Sequence, residues 1–221
     1  MNRSVSTRAT WLVMIMLGAL IAATTASAGP RDHVDGFFLR LSTGFGAGNT
    51  SISNLGMMTP DGQPVDKFEF SGAATDINIA IGGIIAPNLA LHGTLFGWIA
   101  SDPDFKIDGA KIEKLSGDIM ATGFGVGLTY YFMPANIYLS ASGGPGSFEI
   151  DGRLRELGTD LNGETDTGVF LDFTIGKEWW VGDKWGLGVA GGLQYHSFGD
   201  SDINENWSGT SYTIRFTATM N

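Results

Sequence analysis

The chain has 221 residues, no cysteine, and 23 Asp and Glu against 13 Lys and Arg, for a net charge of −10. That acidic balance argues against nucleic-acid binding, which needs a basic face, and the lack of cysteine excludes a disulfide framework. Glycine is abundant at 33 residues and proline scarce at 7, without a repeating period, which excludes collagen-like and low-complexity chains.

Residues 1–28 read as a secretory leader. Arg3 and Arg8 form a basic start, 11–23 is a short apolar run, and Ala26-Ser27-Ala28 places small residues before Gly29-Pro30. This is the pattern of a cleavable signal peptide. The run is shorter than the roughly 20 residues a spanning helix needs, and no cysteine follows it for lipid attachment. Cleavage after Ala28 leaves one domain, residues 29–221, with 11 basic and 23 acidic residues and a net charge of −12.

Period-two alternation, the signature of a strand with two unlike faces, recurs eight times downstream. At 36–46, Phe37, Leu39, Leu41 and Phe45 share one face, with Phe38, Arg40, Ser42 and Gly44 on the other. At 75–85, Ile77, Ile79 and Ile81 oppose Asp76, Asn78 and Ala80; at 89–99, Leu89, Leu91, Leu95 and Ile99 oppose His92, Thr94, Phe96 and Trp98. The stretch 118–132 is the most regular, with Phe124, Val126, Leu128, Tyr130 and Phe132 against Gly123, Gly125, Gly127, Thr129 and Tyr131. The fifth, 137–142, is expected to dissolve into Gly143-Gly144-Pro145-Gly146. Strands at 169–176, 185–196 and 212–219 complete the set, the last placing Tyr212, Ile214, Phe216 and Ala218 against Thr213, Arg215, Thr217 and Thr219. No stretch has convincing helical periodicity; the charged candidate 111–115 is too short to stand alone.

The apolar faces carry almost no charge, and the opposite faces mix Gly, Ala, Ser and Thr with a few charges and large rings. A soluble, lipocalin-like barrel would show the reverse, whereas a greasy outside and polar inside are what lipid demands. Short turns fall at 86–88, 133–136 and 181–184, and long acidic segments near 47–74, 100–117, 146–167 and 198–208. With an even strand number both termini lie on the short-turn side, the arrangement of periplasmic turns and outside loops. The expected fold is all-β, an eight-stranded antiparallel up-and-down transmembrane β-barrel.

On this alternation and turn layout, residues 36–221 resemble the small eight-stranded outer-membrane barrels, the membrane domain of OmpA and OmpX. The resemblance implies insertion by the barrel-assembly machinery. Such barrels end in an aromatic residue; here the chain ends Thr219-Met220-Asn221, and the Tyr212, Ile214, Phe216 series would serve instead.

Candidate site residues follow from this placement. Arg40, Asp76, Asn78, His92, Asp172, Gln194, His196 and Arg215 face inward as a polar lumen network, with Glu178 nearer the short-turn rim. Arg40 and Arg215, on neighbouring strands after closure, are expected to approach each other, with Asp172 or Glu178 neutralising them. The network reads either as a gated channel or proton path or as a structural plug. The plug is preferred, because an eight-stranded barrel is just wide enough for side chains to fill. Inward glycines 123, 125, 127, 186, 188 and 192 either open a small cavity or make room for rings from other strands. His92 and His196 lack paired ligand spacing, so no zinc site is expected. His196-Ser197 invites comparison with lipid A deacylases, but adjacent strand residues point to opposite faces, so no catalytic residue is assigned.

Asp102, Asp104 and Asp108, and Asp200, Asp202 and Asn204, are candidate cation-binding loop residues, since oxygen ligands at alternate positions suit Ca²⁺. The second run lacks the sixth-position Gly and terminal Glu of an EF-hand, and a solvated acidic loop is the default. Tyr130, Phe132, Trp179, Trp180 and Trp185 gather beside the second and third turns as an interfacial girdle. No cofactor is expected. The expected role is structural or interactive, presenting acidic loops at the cell surface, with a small-solute channel or a lipid A-modifying enzyme as alternatives. The expected partners are outer-membrane lipid and lipopolysaccharide, with divalent cations as bridging ions, and the expected state is a monomer.

Overall fold

The computed structural model describes residues 32–34, 36–58, 62, 64–201 and 205–221. The leader, Asp202 and Asn204 lie outside them. Eight long strands form the barrel: β1 Phe37–Ile52, β4 Phe68–Ala86, β5 Leu89–Ser101, β7 Ala110–Phe132, β8 Ile137–Leu154, β10 Gly168–Trp180, β11 Trp185–Asp200 and β12 Glu205–Met220. Four short strands decorate one end: β2 Met57–Met58, β3 Pro64–Val65, β6 Asp104–Ile107 and β9 Thr159–Glu164. Each long strand pairs antiparallel with its neighbours, and β1 closes the ring on β12 from Leu39↔Met220 to Ser51↔Ser208. Within the apolar band closure leaves no unpaired edge, the condition for backbone to cross a bilayer.

The outward residues are apolar over one continuous band. Phe45, Ile81, Leu95, Phe124, Val126, Ile175, Tyr212 and Ile214 are each more than half exposed. Burying such rings costs nothing in hydrocarbon, whereas in water they would form a patch far larger than a soluble monomer carries. Further along the same strands the outward residues turn polar: Asn49, Ser51, Glu69, Ser71, Asp118, Glu149 and Asp151. At about 3.3 Å per residue, the 23 residues of β7 far exceed the roughly 30 Å hydrocarbon core. The barrel therefore rises well past the apolar band at the end opposite the short turns.

This rise corrects the expected loops. Residues 47–52, 68–74, 110–118, 143–154, 198–200 and 205–211 continue the ladder rather than looping. Their inward parity carries Ile52, Phe70, Leu115, Phe148, Leu154, Phe198 and Trp207 onto a buried apolar cluster, and that burial holds them in strand form. The charged stretch 111–115 is likewise strand. At 143–146 the strand continues instead of dissolving, but the β7–β8 ladder skips from Gly123↔Gly146 to Val126↔Gly143. Pro145 has no N–H to donate there, and a Cβ at Gly125 would lie 2.0 Å from the Gly143 carbonyl oxygen. Only glycine fits that crossing.

The interior has three levels. The large apolar cluster fills the tall end, with Trp98, Phe96, Phe148 and Phe170 at its heart. A smaller one, with Phe38, Tyr131 and Tyr138, fills the short-turn end. Buried polar side chains lie between them. The inside is thus not uniformly polar: in the part beyond the apolar outer band both the core and the folding force are those of a water-soluble sandwich.

Candidate functional site

The polar layer is built by alternate residues of four strands, β4, β10, β11 and β12. Arg215 on β12 is fully buried and donates Nε to Asp76 Oδ2 at 2.5 Å and Nη2 to Asp172 Oδ2 at 2.6 Å. Its Nη1 donates to Asp172 Oδ1 at 3.2 Å, making a two-pronged contact of the kind a planar guanidinium favours. Asp172 also accepts from Asn78 at 3.1 Å, Gln194 at 3.0 Å and Thr174 at 3.1 Å. Asp76 accepts in addition from Thr213 at 2.7 Å. One cation thus joins two carboxylates, and neighbouring amides and hydroxyls saturate much of the remainder, as a dry interior requires.

Glycine makes room for this layer. A Cβ at Gly192 would fall 2.3 Å from Arg215 Cζ, and one at Gly44 would fall 2.6 Å from Asp76 Oδ1. At Gly127 it would meet Ser142 Oγ at 2.3 Å and the His92 ring at 2.5 Å, and at Gly123 the Phe170 ring at 2.7 Å. These inward glycines are space for neighbouring side chains and open no cavity.

Arg40 belongs to a second network. In register it pairs with Thr219 while Arg215 pairs with Gly44, so the two guanidinium groups sit at different levels and the expected approach does not occur. Arg40 donates to Thr129 Oγ1 at 3.2 Å and Ser140 Oγ at 2.8 Å and lies 4.9 Å above the Tyr138 ring centroid. Thr129 Oγ1 donates to Ser140, so its 2.9 Å contact with His92 Nε2 makes that nitrogen the donor and assigns the His92 tautomer. His92 Nδ1 then accepts from Thr94 at 2.7 Å. Glu178 neutralises neither arginine by direct contact; it accepts from Thr219 at 2.6 Å and Thr217 at 3.2 Å.

His196 lies apart from both networks, in the apolar cluster. It is stacked 4.9 Å from Phe198, with its Nε2 3.0 Å from Thr50 Oγ1. Ser197 points to the opposite face and meets Ser208 at 3.2 Å. The pair offers no base within reach of a nucleophile.

The short-turn mouth holds a residue that alternation did not reveal. His33 is buried, stacked 3.8 Å from Tyr131 and tilted against Trp180 at 5.0 Å. Its Nε2 is 3.0 Å from Asn136 Oδ1, its backbone N–H donates to Asn88 Oδ1 at 3.1 Å, and Asn88 N donates back to the His33 carbonyl at 2.7 Å. Asn88 and Asn136 both have positive φ, at 63° and 51°, a conformation asparagine tolerates in tight turns. Two turn asparagines thus form the receptor for the strap before β1. His33 precedes all alternation, so only tertiary contacts reveal it. Trp180, grouped with the girdle from sequence, turns toward this strap; Tyr130, Phe132, Trp179 and Trp185 remain exposed on the outside.

Burial holds the His33 imidazole below its ordinary value, with Asn136 opposing. A lowered folded value means the released strap binds more protons, so docking strengthens with rising pH. The docked strap is therefore expected to loosen as pH falls below about 6.5. Amide-exchange protection factors at Asn88 and Tyr131, corrected for the intrinsic pH dependence of exchange, check this: they fall between pH 7.5 and 5 in the native chain and stay constant in His33→Phe.

At the tall end the candidate cation ligands are dispersed. Asp102 accepts from Gly117 N at 3.3 Å, and Asp108 from Lys67 N at 2.8 Å and Asp66 N at 3.2 Å. Asp104 pairs with Lys111 at 2.7 Å, and that hydrogen bond holds its carboxyl below the ordinary range. Asp200 accepts from Trp207 Nε1 at 3.3 Å. No group of three such side chains converges among the described residues. Glu113, not singled out by pattern, is buried and accepts from Glu156 N at 3.0 Å and Leu157 N at 3.2 Å, tying down the β8–β9 hairpin.

A closed antiparallel ring, apolar outside and ionic inside, decides the class. The chain folds as an eight-stranded transmembrane β-barrel. No protein-family model and no curated protein matches its sequence. Among solved structures it is similar to Neisserial surface protein A at 14% identity, covering 84% of this chain and 97% of that one, with a TM-score of 0.48. It is similar to OprG from Pseudomonas aeruginosa at 14% identity, covering 85% and 98%, with a TM-score of 0.45. It is also similar to the outer membrane protease OmpT from Escherichia coli at 8% identity, covering 90% and 99%, with a TM-score of 0.45.

Proposed function

We propose that this barrel is a sealed scaffold of the outer membrane whose work is done at its tall end, in a structural or interactive role. The observation that carries the reading is the filling of the interior at three successive levels. Below, His33, Tyr131 and Tyr138 close the mouth. At mid-height Arg215, Asp76 and Asp172 lock. Above, a cluster containing Trp98, Phe148 and Phe170 packs. A small-solute channel needs a continuous wet path, and these levels supply none. In this reading the short turns face the periplasm, the hairpins face the outside, and Tyr130, Phe132, Trp179 and Trp185 seat the periplasmic boundary. The protein would reach that place through its leader and the barrel-assembly machinery and act as a monomer without a cofactor. Divalent ions would bridge its acidic rim to lipopolysaccharide phosphates.

The test is planar-bilayer recording of the refolded barrel, with its insertion verified by a heat-dependent shift on SDS gels. Conductance at the level of the bare membrane is the expected result. Discrete openings would overturn the sealed-scaffold reading in favour of the channel.

A further inference from the structure

Within the apolar band every long strand has two partners, but at the tall end the ring is open. β8 pairs with β10 only through Gly146↔Gly168, and beyond that point it pairs instead with β9, from Glu149↔Glu164 to Leu154↔Thr159. On its other side β9 pairs with nothing among the described residues, so its whole length is an edge of the ten-stranded sheet. Across the gap the ladder of β11 to β10 stops at Val169↔Ser197, while its ladder to β12 runs on through Asp200↔Glu205. Residues 165–167 floor the slot, with Thr165 N donating to the Phe148 carbonyl at 2.9 Å and Asp166 N to the Gly199 carbonyl at 2.8 Å.

A free strand edge offers a row of unpaired N–H and C=O groups, a template for one more strand. The side chains beside it specify which strand. Glu164 stands directly opposite Glu149, and next to them Asp151 stands opposite Asp118. Like charges facing across a ladder repel, and no ion pair neutralises these four among the described residues. Asp160 makes an exposed contact with Arg153, at 3.5 Å. On the other face of β9, Leu161 packs against the apolar cluster, and Gly163 leaves open space: a Cβ there would meet nothing within 4 Å.

We propose that the β9 edge is a docking site for an extended basic peptide segment, which adds as a further strand beside Thr159–Glu164. Its Lys or Arg residues, at alternate positions, face Asp160 and Glu164, and an apolar residue between them covers Leu161 in the space beside Gly163. A second copy of this chain is a poor occupant, because edge-to-edge pairing would set these same acids against themselves. The proposal rests on the sealed-scaffold reading, in which the tall end is the working surface.

The probe is a synthetic eight-residue peptide alternating lysine and valine, titrated into the full barrel in lipid nanodiscs and followed by fluorescence anisotropy. Saturable binding is expected, together with new amide-exchange protection at residues 159–164. A glutamate–valine peptide is expected not to bind. N-methylation of the amides along one edge of the lysine peptide is expected to weaken binding by about ten-fold or more, through lost backbone hydrogen bonds. Glu164→Lys is expected to weaken the lysine peptide and leave the gel shift unchanged. Equal binding by the N-methylated peptide would mean charge attraction without strand addition, and would overturn the proposal. So would undiminished binding and exchange protection elsewhere in the Glu164→Lys barrel. Absence of binding by a barrel that conducts no current removes this docking site alone, whereas discrete conductance removes the reading beneath it.

Discussion

Arg215→Met is expected to destabilise the barrel by about 3–5 kcal/mol, because it strands two carboxylates in a dry interior. Asp76 and Asp172 are both fully buried and both depend on this one guanidinium for their ion pairs. The amide and hydroxyl donors around Asp172 remain after the substitution, but they carry no compensating charge. The triple variant Arg215→Met, Asp76→Asn, Asp172→Asn removes all three charges together. It is expected to recover most of the loss, since replacing a whole buried ionic group is often nearly neutral while breaking one partner is not. Urea titration of the folded fraction, read from unboiled SDS gels, checks both. A single variant as stable as the native chain would show that the layer is wet and that Arg215 is not its keystone. A triple variant no better than the single would show that packing around the guanidinium, and not charge, sets the loss.

Trp98→Ala is the second large effect, expected to cost about 3–5 kcal/mol through the void it leaves. Trp98 is 2% exposed, and its ring fills the place a side chain at residue 48 would need, with a Cβ at Gly48 lying 2.9 Å away. The void is confined to the upper level, so the barrel is expected to stay non-conducting while it loses stability. Full stability in urea would mean the tall end folds independently of its aromatic core. Current through the single variant would mean that the aromatic level alone seals the lumen and that the ionic layer and His33 strap are permeable.

These two variants separate the forces at the two levels. The ionic layer sits inside the apolar outer band, where the surrounding lipid gives no hydrophobic reason for an apolar interior and polar satisfaction decides stability. The aromatic core begins at the top of that band, with Phe96 beside Leu95, and continues above it, where water surrounds the wall and apolar burial supplies the driving force. The same β7 strand obeys both regimes. Phe124, Val126 and Leu128 point outward in the band, while Leu115, Ile119 and Ala121 point inward above it.

That change of regime also explains which parts of the architecture are readable from the chain. In the band, alternation between Phe124 and Phe132 is simple because one side is lipid and the other is crowded with glycine and polar groups. Above it, Glu149, Asp151 and Arg153 alternate with Phe148, Ile150 and Gly152, which resembles a charged loop unless the inward residues are known to meet a core. The Gly143-Gly144-Pro145-Gly146 run carries the turn composition of a loop, yet ladder contacts with β10 hold it extended.

The chain by itself determined the barrel, its eight crossings, the inward parity of Arg40, Asp76, Asp172 and Arg215, and the outward parity of Tyr130, Phe132, Trp179 and Trp185. All of these follow from the period-two geometry of a strand, a local property that survives without knowledge of neighbours. Only the tertiary structure decided that Arg215 joins Asp76 and Asp172 while Arg40 goes to Thr129 and Ser140, because partner choice depends on the stagger between strands. Only it showed the docking of His33 on Asn88 and Asn136, and the free edge of β9. Those are contacts between residues far apart in sequence or, for β9, a missing neighbour, and neither leaves a period in the chain.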